Sequence, residues 1–352
     1  MQTEHVTIKD LAKAAQVSIG TVDRVLHNRG EVAEQTRRKI LQLAEKMNYK
    51  PNLLARALTL RKALNIIAFL PSAEDGNFYW KSHRVGIVSQ AKRIEQYQFN
   101  VEIVDFELFD VADFCAKAQK ISNMQPDGVI FAPIFKKESL LFARQLDELN
   151  IPYAFIDTYI DGTNSIGFVG EDAFQSGRVA ASIIDFGLAP EKDILIVNLA
   201  KDIGNTQHLI TRNQGFMSFF MDKGKNRGMK ISIEIPSSAE NVVKEKLDTV
   251  LQSNPNIGAV WVSGAKSYVV ARYLENADRR DILLVGYDVY NENVECLKRG
   301  YISYLIAQQP TEQGEKAVAM MFGFLSDNVR QQSQEYQKVE IVNSENVKFY
   351  SE

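Results

Sequence analysis

Short apolar runs alternate with longer segments of helical period along most of the chain. The runs fall at 64–70, 101–104, 128–132, 153–156, 166–169, 194–198, 231–235, 258–262, 282–285 and 304–307. Between them lie amphipathic segments such as 85–98, 138–150, 174–186, 241–252 and 311–325. Continuous apolar strands separated by helices predict parallel sheets covered on both faces. Ten strands over about 290 residues suit two doubly wound subdomains better than one. No short-period repeat is present, so any duplication is structural only.

The first sixty residues follow a different pattern. Ile8, Leu11, Ala12 and Ala15 share one helical stripe, with Thr7 and Asp10 at capping-box spacing ahead of it. Gln16-Val17 breaks the period, and Ser18 is a good N-cap for a second helix over 19–27. There Val22, Val25 and Leu26 share a face, while Ile19, Gly20, Asp23, Arg24 and His27 fall away from it. A third helix, about 34–48, buries Ile40, Leu43, Ala44 and Met47. Two short helices on a tight turn, braced by a third, predict a helix-turn-helix head over 1–50. Within a hinge helix and linker over 51–62, residues 52–60 are helix-prone, but a helix that short is marginal alone in water. Its leucines either pack on a neighbouring domain or order on a partner.

Charge sharpens the division. Residues 1–62 hold twelve Lys/Arg against six Asp/Glu, a balance of +6, which leaves −9 for the rest of a chain of net charge −3. A basic head on an acidic body is an electrostatic footprint for phosphate binding. Cys115 and Cys296 are far apart and suggest neither a disulfide framework nor a zinc site. The N-terminus lacks a signal pattern, and no apolar run approaches the roughly 18–20 residues of a membrane span. The expected compartment is the cytoplasm.

In doubly wound sheets, ligands bind outside the carboxyl ends of strands. The residues expected there are Asn77, Phe78, Tyr79 and Trp80 after the first strand and Asp157 with Thr158 and Tyr159 after the fourth. Arg212 is expected to open the helix after the sixth, with Ser263, Lys266 and Ser267 after the eighth, Asp288 with Tyr290 after the ninth, and Gln308 after the tenth. Carboxylates, a guanidinium and an amide match a ring of hydroxyls, and aromatics supply flat walls for the C–H faces of a sugar. Each residue alone also has an ordinary structural reading: an Asp at a strand end caps the next helix, and a buried Trp is core.

Val6-Thr7-Ile8-Lys9-Asp10-Leu11-Ala12, Val17-Ser18-Ile19-Gly20-Thr21-Val22-Asp23-Arg24-Val25-Leu26 and Tyr49-Lys50-Pro51-Asn52 closely resemble the head of the lac/gal repressor family of bacterial regulators. The resemblance implies that Ile19 and Gly20 hold the main base-reading positions, that Arg24 reaches guanine, and that Thr21 contacts the DNA backbone. Thr7, Ser18, His27 and Tyr49 complete the expected DNA-facing set. It also implies a hinge helix in the minor groove, with Ala55 allowing close approach, Arg56 reaching phosphate and Leu58 as a wedge that kinks the duplex. Gly20 cannot read a base edge. Asp23, where a serine is more usual, must accept from a cytosine amino group, pair with Arg24 or His27, or repel phosphate.

The body resembles ribose-type periplasmic sugar-binding proteins. That likeness implies effector-binding roles for Asn77, Tyr79, Trp80, Asp157, Arg212, Asp288 and Gln308. Ser263-Gly264-Ala265 departs from the usual Asn-Asp pair, with Ser263 or Lys266 as substitutes. It further implies three crossings, near Ser165, Gln308 and Val339. They divide the body, 63–352, into an N-subdomain (about 63–165 and 309–338) and a C-subdomain (about 166–308 and 339–352).

The leading expectation is therefore a homodimeric transcription regulator, expected to be a repressor, that binds double-stranded operator DNA under control of a small sugar-like effector. A transport-type sugar-binding protein fits the body but not the head. A sugar-converting enzyme fused to a DNA-binding head is the third class. It lacks support: the four histidines form no HExxH pair, and no GxxxxGK[ST] or GxSxG motif is present. No cofactor, metal or membrane partner is expected.

Overall fold

The computed structural model describes residues 6, 8–26, 30, 32–47, 63–73, 78–199, 206–224, 228–327 and 333–350. Thr7, His27, Tyr49, Ala55, Arg56, Leu58 and Asn77 lie outside the described residues, as does the hinge segment 51–62.

In the head, α1 (Ile8–Ala15), α2 (Ile19–Leu26) and α3 (Glu34–Lys46) close over one apolar cluster. Leu11, Ala12, Ala15, Val22, Val25 and Ile40 are buried there, each from the stripe its spacing predicts. The turn between α1 and α2 follows from hydrogen bonding. Gln16 takes the left-handed conformation (φ 59°), Val17 N–H donates to Ala12 and Gln16 N–H to Lys13, which satisfies the last carbonyls of α1. Ser18 Oγ accepts from the Thr21 amide at 3.1 Å and starts α2.

The body starts with β1 (Leu64–Pro71), α4 (Phe78–Ile94), β2 (Phe99–Phe106), α5 (Val111–Met124), β3 (Gly128–Phe131), α6 (Lys136–Glu148), β4 (Tyr153–Asp157) and β5 (Gly167–Glu171). It continues with α7 (Ala173–Gly187), β6 (Asp193–Leu199), α8 (Gln207–Asp222), β7 (Lys230–Ile235), α9 (Glu240–Ser253), β8 (Ile257–Val262), α10 (Ser267–Asn276), β9 (Leu283–Tyr287), α11 (Asn291–Lys298) and β10 (Tyr304–Ala307). Then come α12 (Pro310–Asp327), β11 (Ser333–Gln337) and β12 (Glu340–Val342).

Two six-stranded sheets result, ordered β11-β5-β4-β3-β1-β2 and β12-β10-β9-β8-β6-β7. Every pairing is parallel except that of β12 with β10. The central strands are buried on both faces, which is why they read as continuous apolar runs. The two lobes are the doubly wound pair that the alternation predicts.

Two features differ from the sequence reading. β5 pairs with β4, so the chain leaves the first sheet after Glu171 and not near Ser165. An apolar run states that a strand is buried but not which sheet buries it. β11 and β12 were not foreseen. Ser-Gln-Glu-Tyr-Gln is a polar strand at a sheet edge, and β12 has only three residues, so neither carries an apolar run.

Each lobe also contains a glycine-to-glycine helix crossing. A Cβ on Gly86 of α4 would lie 1.9 Å from the Thr311 carbonyl oxygen of α12, and one on Gly314 2.3 Å from that of His83. In the other lobe a Cβ on Gly177 of α7 would lie 2.0 Å from the Arg212 carbonyl oxygen, and one on Gly215 1.9 Å from that of Phe174. The backbones touch there because no side chain intervenes. These contacts set the start of α4 and the second turn of α8 against their lobes.

Candidate functional site

The carboxyl ends of both sheets face one cavity of about 230 Å³. From the first lobe it is lined by Phe78, Tyr79 and Trp80 of α4 and by Asp157; from the second by Arg212, Lys266, Asp288 and Gln308. All of these but Phe78, seven in number, are among the nine effector residues nominated from the sequence. Asn77 lies outside the described residues, and Ser263 is a correction. Its side chain is fully buried and its hydroxyl donates to Asn198 Oδ1 at 2.6 Å, away from the cavity. Its carbonyl is the working group, accepting from Arg212 Nη1 at 2.7 Å.

Asp157 ends β4 and Asp288 follows β9, strands in the same place of their two sheets, and both take positive φ, 72° and 70°. Thr158 N–H donates to the Ile156 carbonyl at 2.9 Å, closing a tight three-residue turn around Asp157. Such a conformation costs an L-residue about 1–3 kcal/mol and persists where surrounding structure over-determines it. Aspartate tolerates it better than most, because its side chain is short and polar.

Tyr79 and Trp80 lie in the first turn of α4, which begins at Phe78, ahead of the amphipathic segment expected at 85–98. Helical geometry turns them apart. The Tyr79 hydroxyl donates to Asp157 and lies 3.1 Å from Gln308 Oε1. Trp80 is buried, with its ring stacked on His83 at a centroid distance of 4.6 Å. Flat walls come instead from Phe78 and Tyr290, which stack across the cleft at 5.8 Å. A backbone bridge between Phe135 and Thr206 also joins the lobes.

Arg212 sits in the second turn of α8, not at its start, and its guanidinium is the hub. It is 3% exposed, pairs with Glu171, and donates through Nη2 to Gln308 Oε1 at 2.7 Å. The Tyr287 ring lies 3.9 Å from its Cζ. Glu171 is the residue that sequence reasoning missed. It ends β5, and no motif marks it. Burial works against the charge of Arg212, but Glu171, Tyr287, Asp288 and Tyr79 around it together outweigh that and keep the guanidinium protonated.

Gln308 Nε2 donates to Asp288 Oδ1 at 2.6 Å, while Asp288 Oδ2 is buried without a donor among the described residues. Burial pushes the Asp288 carboxyl up to about 7, against the opposing pull of Arg212 and Gln308. Thr158 Oγ1 donates to Asp157 Oδ2 at 2.8 Å. His208, also on the cavity wall, is driven down to about 4 by burial and is a neutral imidazole. Lys266 Nζ reaches Ser238 Oγ only at 3.5 Å. Around Asp157, Asp288 and Gln308 the cavity is rich in acceptors, and Arg212 there is already paired with Glu171, while Lys266 is a further cation elsewhere on the wall. The acceptor-rich part suits neutral hydroxyls better than an anion.

On the head, Ser18, Ile19, Gly20 and Arg24 are exposed, and Ile19 at 46% is unusual for isoleucine. The Ser18 and Thr21 hydroxyls are 2.9 Å apart, and Arg24 Nε donates to the Gly20 carbonyl at 3.2 Å. A side chain at Gly20 would meet only Ser18 Oγ, at 3.8 Å, so packing does not require glycine there.

Fold and cleft together define a two-lobed binding protein of the periplasmic type with a helix-turn-helix head. Residues 67–328 match the periplasmic binding protein domain, and residues 7–52 match the bacterial regulatory proteins of the lacI family. Over most of its length the chain belongs to the periplasmic binding protein domain family, and it carries a lacI-family head: it is a helix-turn-helix transcriptional regulator with a body of the sugar-binding type. It is 28% identical over 290 residues to the "Probable HTH-type transcriptional repressor ExuR" of Bacillus subtilis (strain 168), covering 80% of this chain and 81% of that protein. Similarity to the HTH-type transcriptional regulator GanR of the same strain is 34% over 184 residues, 51% of this chain and 49% of that one. A crystal structure of a candidate LacI transcriptional regulator from Bacteroides fragilis superposes with TM-score 0.75 at 26% identity, over 82% of this chain and 100% of that chain. Among the described residues no helix is long and apolar enough to cross a membrane.

Proposed function

We propose that the protein is a cytoplasmic, homodimeric repressor whose grip on operator DNA is set by a small, uncharged sugar or sugar derivative held between the lobes. The observation that carries this reading is the convergence of Asp157 from the first lobe with Arg212, Asp288 and Gln308 from the second in one cavity. A ligand whose hydroxyls engage both carboxylates binds the closed arrangement better than an open one, and so shifts the balance between them. Closure alters the separation of the two hinge segments of a dimer. Operator affinity and ligand affinity are then reciprocally linked. In the head, Ile19 supplies apolar contact, Arg24 a guanine contact, and Ser18 and Thr21 phosphate contacts; Gly20 admits the DNA backbone. In the hinge, Leu58 is the wedge, with Ala55 and Arg56 beside it. Asp157 and Asp288 act as hydroxyl acceptors, with no turnover of the ligand.

Selection of duplexes by the full-length protein from a randomised pool, followed by anisotropy titration with and without a sugar panel, tests this reading. A two-fold-symmetric consensus should emerge, and at least one sugar should change its Kd. A pool that stays random, or a Kd that no bound sugar moves, would overturn the proposal.

A further inference from the structure

The polar groups account for only one end of the cavity. Strand order lays it out along an axis. Asp157 ends β4, and Asp288 and Gln308 follow β9 and β10, whereas β3, β1 and β2 in the first sheet and β8 and β6 in the second lie progressively further along. The lining changes character with that distance. Leu108 comes from the β2–α5 connection and Val111 from the start of α5, Ile134 and Phe135 from beyond β3, and Leu199 and Leu209 from the end of β6 and from α8. Ile134, Phe135 and Leu209 are buried, while Val111 is 39% exposed, an apolar side chain held open at the rim. Other polar groups on the wall are Thr206, whose backbone is bridged to Phe135, His208, a neutral imidazole, and Lys266, whose Nζ lies 3.5 Å from Ser238 Oγ. A second sugar unit here would strand its hydroxyls against aliphatic and aromatic carbon, whereas an apolar substituent would be desolvated favourably.

We propose that the effector is an amphiphilic glycoside: a single sugar ring at the Asp157–Asp288–Gln308 end, carrying a compact alkyl or aryl aglycone that lies among Leu108, Val111, Phe135, Leu199 and Leu209. This rests on the sugar reading of the polar end. It explains why one cavity combines an acceptor-rich end with an extended apolar one, and why Phe78 and Tyr290 wall it as a stacked pair. The glycosidic oxygen points from the polar end toward β2 and β6.

The test is titration calorimetry of the full chain with matched methyl and phenyl glycosides of D-glucose, D-galactose, D-xylose and L-arabinose, and with phenol alone. For the sugar that fits, the phenyl member should bind about ten- to a hundred-fold more tightly than the methyl member, the gain expected from burying one aromatic ring. It should also show a more negative heat-capacity change. Leu108→Asn, a half-buried loop position, should remove that gain and leave the methyl glycoside's Kd unchanged. Methyl and phenyl members binding equally would overturn the aglycone while leaving the sugar reading intact. Binding by no member of any pair would overturn the sugar reading and this proposal with it. Phenol binding as tightly as its glycoside would overturn the assignment of the polar end, and a phenyl gain that survives Leu108→Asn would overturn the placement.

Discussion

Asp157 and Asp288 occupy equivalent places in the two sheets, each at the carboxyl end of the third strand from one edge, and each turns the chain through the left-handed region. Gln308 ties the two sides together. Its amide nitrogen holds Asp288 and its oxygen receives Arg212, with the Tyr79 hydroxyl also within reach. A pair of matched carboxylates thus faces one space from two lobes that have separate cores.

Asp288 gives the protein a pH dependence of definite sign. Its carboxyl titrates near 7 when folded, raised by burial, against about 3.9 in an unfolded chain. Between those values the folded state binds the extra proton, so stability falls as pH rises through 7. Asp288→Asn should remove this slope and raise the melting temperature at pH 8. A ligand hydroxyl donating to the ionised form should bind more tightly at pH 8 than at pH 6. Melting curves and calorimetry from pH 5 to 8 check both. A slope unchanged in Asp288→Asn would refute the assignment.

The Glu171–Arg212 pair is buried on both sides, so removing one partner leaves an uncompensated charge. Glu171→Ala should cost about 3–5 kcal/mol of unfolding free energy. Glu171→Met with Arg212→Met should recover most of that stability yet lose the ligand response, because Gln308 is no longer held. Urea denaturation separates these outcomes; a cost below about 1 kcal/mol for Glu171→Ala would show that the pair is not the hub.

Gly86→Ala should be destabilising by about 1–3 kcal/mol, since the new methyl meets backbone that cannot rotate away. It should also weaken ligand binding, because α4 carries Phe78 and Tyr79. Gly323, later in α12, has nothing within 4 Å of an added Cβ, so Gly323→Ala should stabilise by about 0.5–1 kcal/mol. Equal melting temperatures for the two variants would contradict the close-crossing account.

Gly20→Ala separates packing from recognition. Space around Gly20 is open, so the variant should fold as well as the parent and melt no lower. Its affinity for a selected operator should drop about ten-fold or more if the DNA backbone approaches there. Unchanged affinity would mean that Gly20 is an incidental residue.

Much of this was legible before any fold was in hand. Periodicity encodes which face of each element is buried, and that is local information. It was enough for the three helices of the head, for the ten main strands, and for naming Asp157, Asp288 and Gln308 at strand ends. Helix starts were harder: periodicity shows the amphipathic segment at 85–98, whereas α4 begins at Phe78 and takes in Tyr79 and Trp80.

What only the tertiary structure decided concerns partners far apart in the chain. Glu171 meets Arg212 across 41 residues, and β5 stays in the first sheet. The Ser263 hydroxyl turns to Asn198 across 65 residues and leaves its carbonyl to Arg212. The apolar end of the cavity gathers side chains from β2, β3 and β6 connections that no local pattern links. A buried polar group must find a partner or be neutralised, and which partner it finds depends on what the whole fold desolvates beside it. Sequence spacing therefore named the carboxylates, and the packed lobes determined what they face.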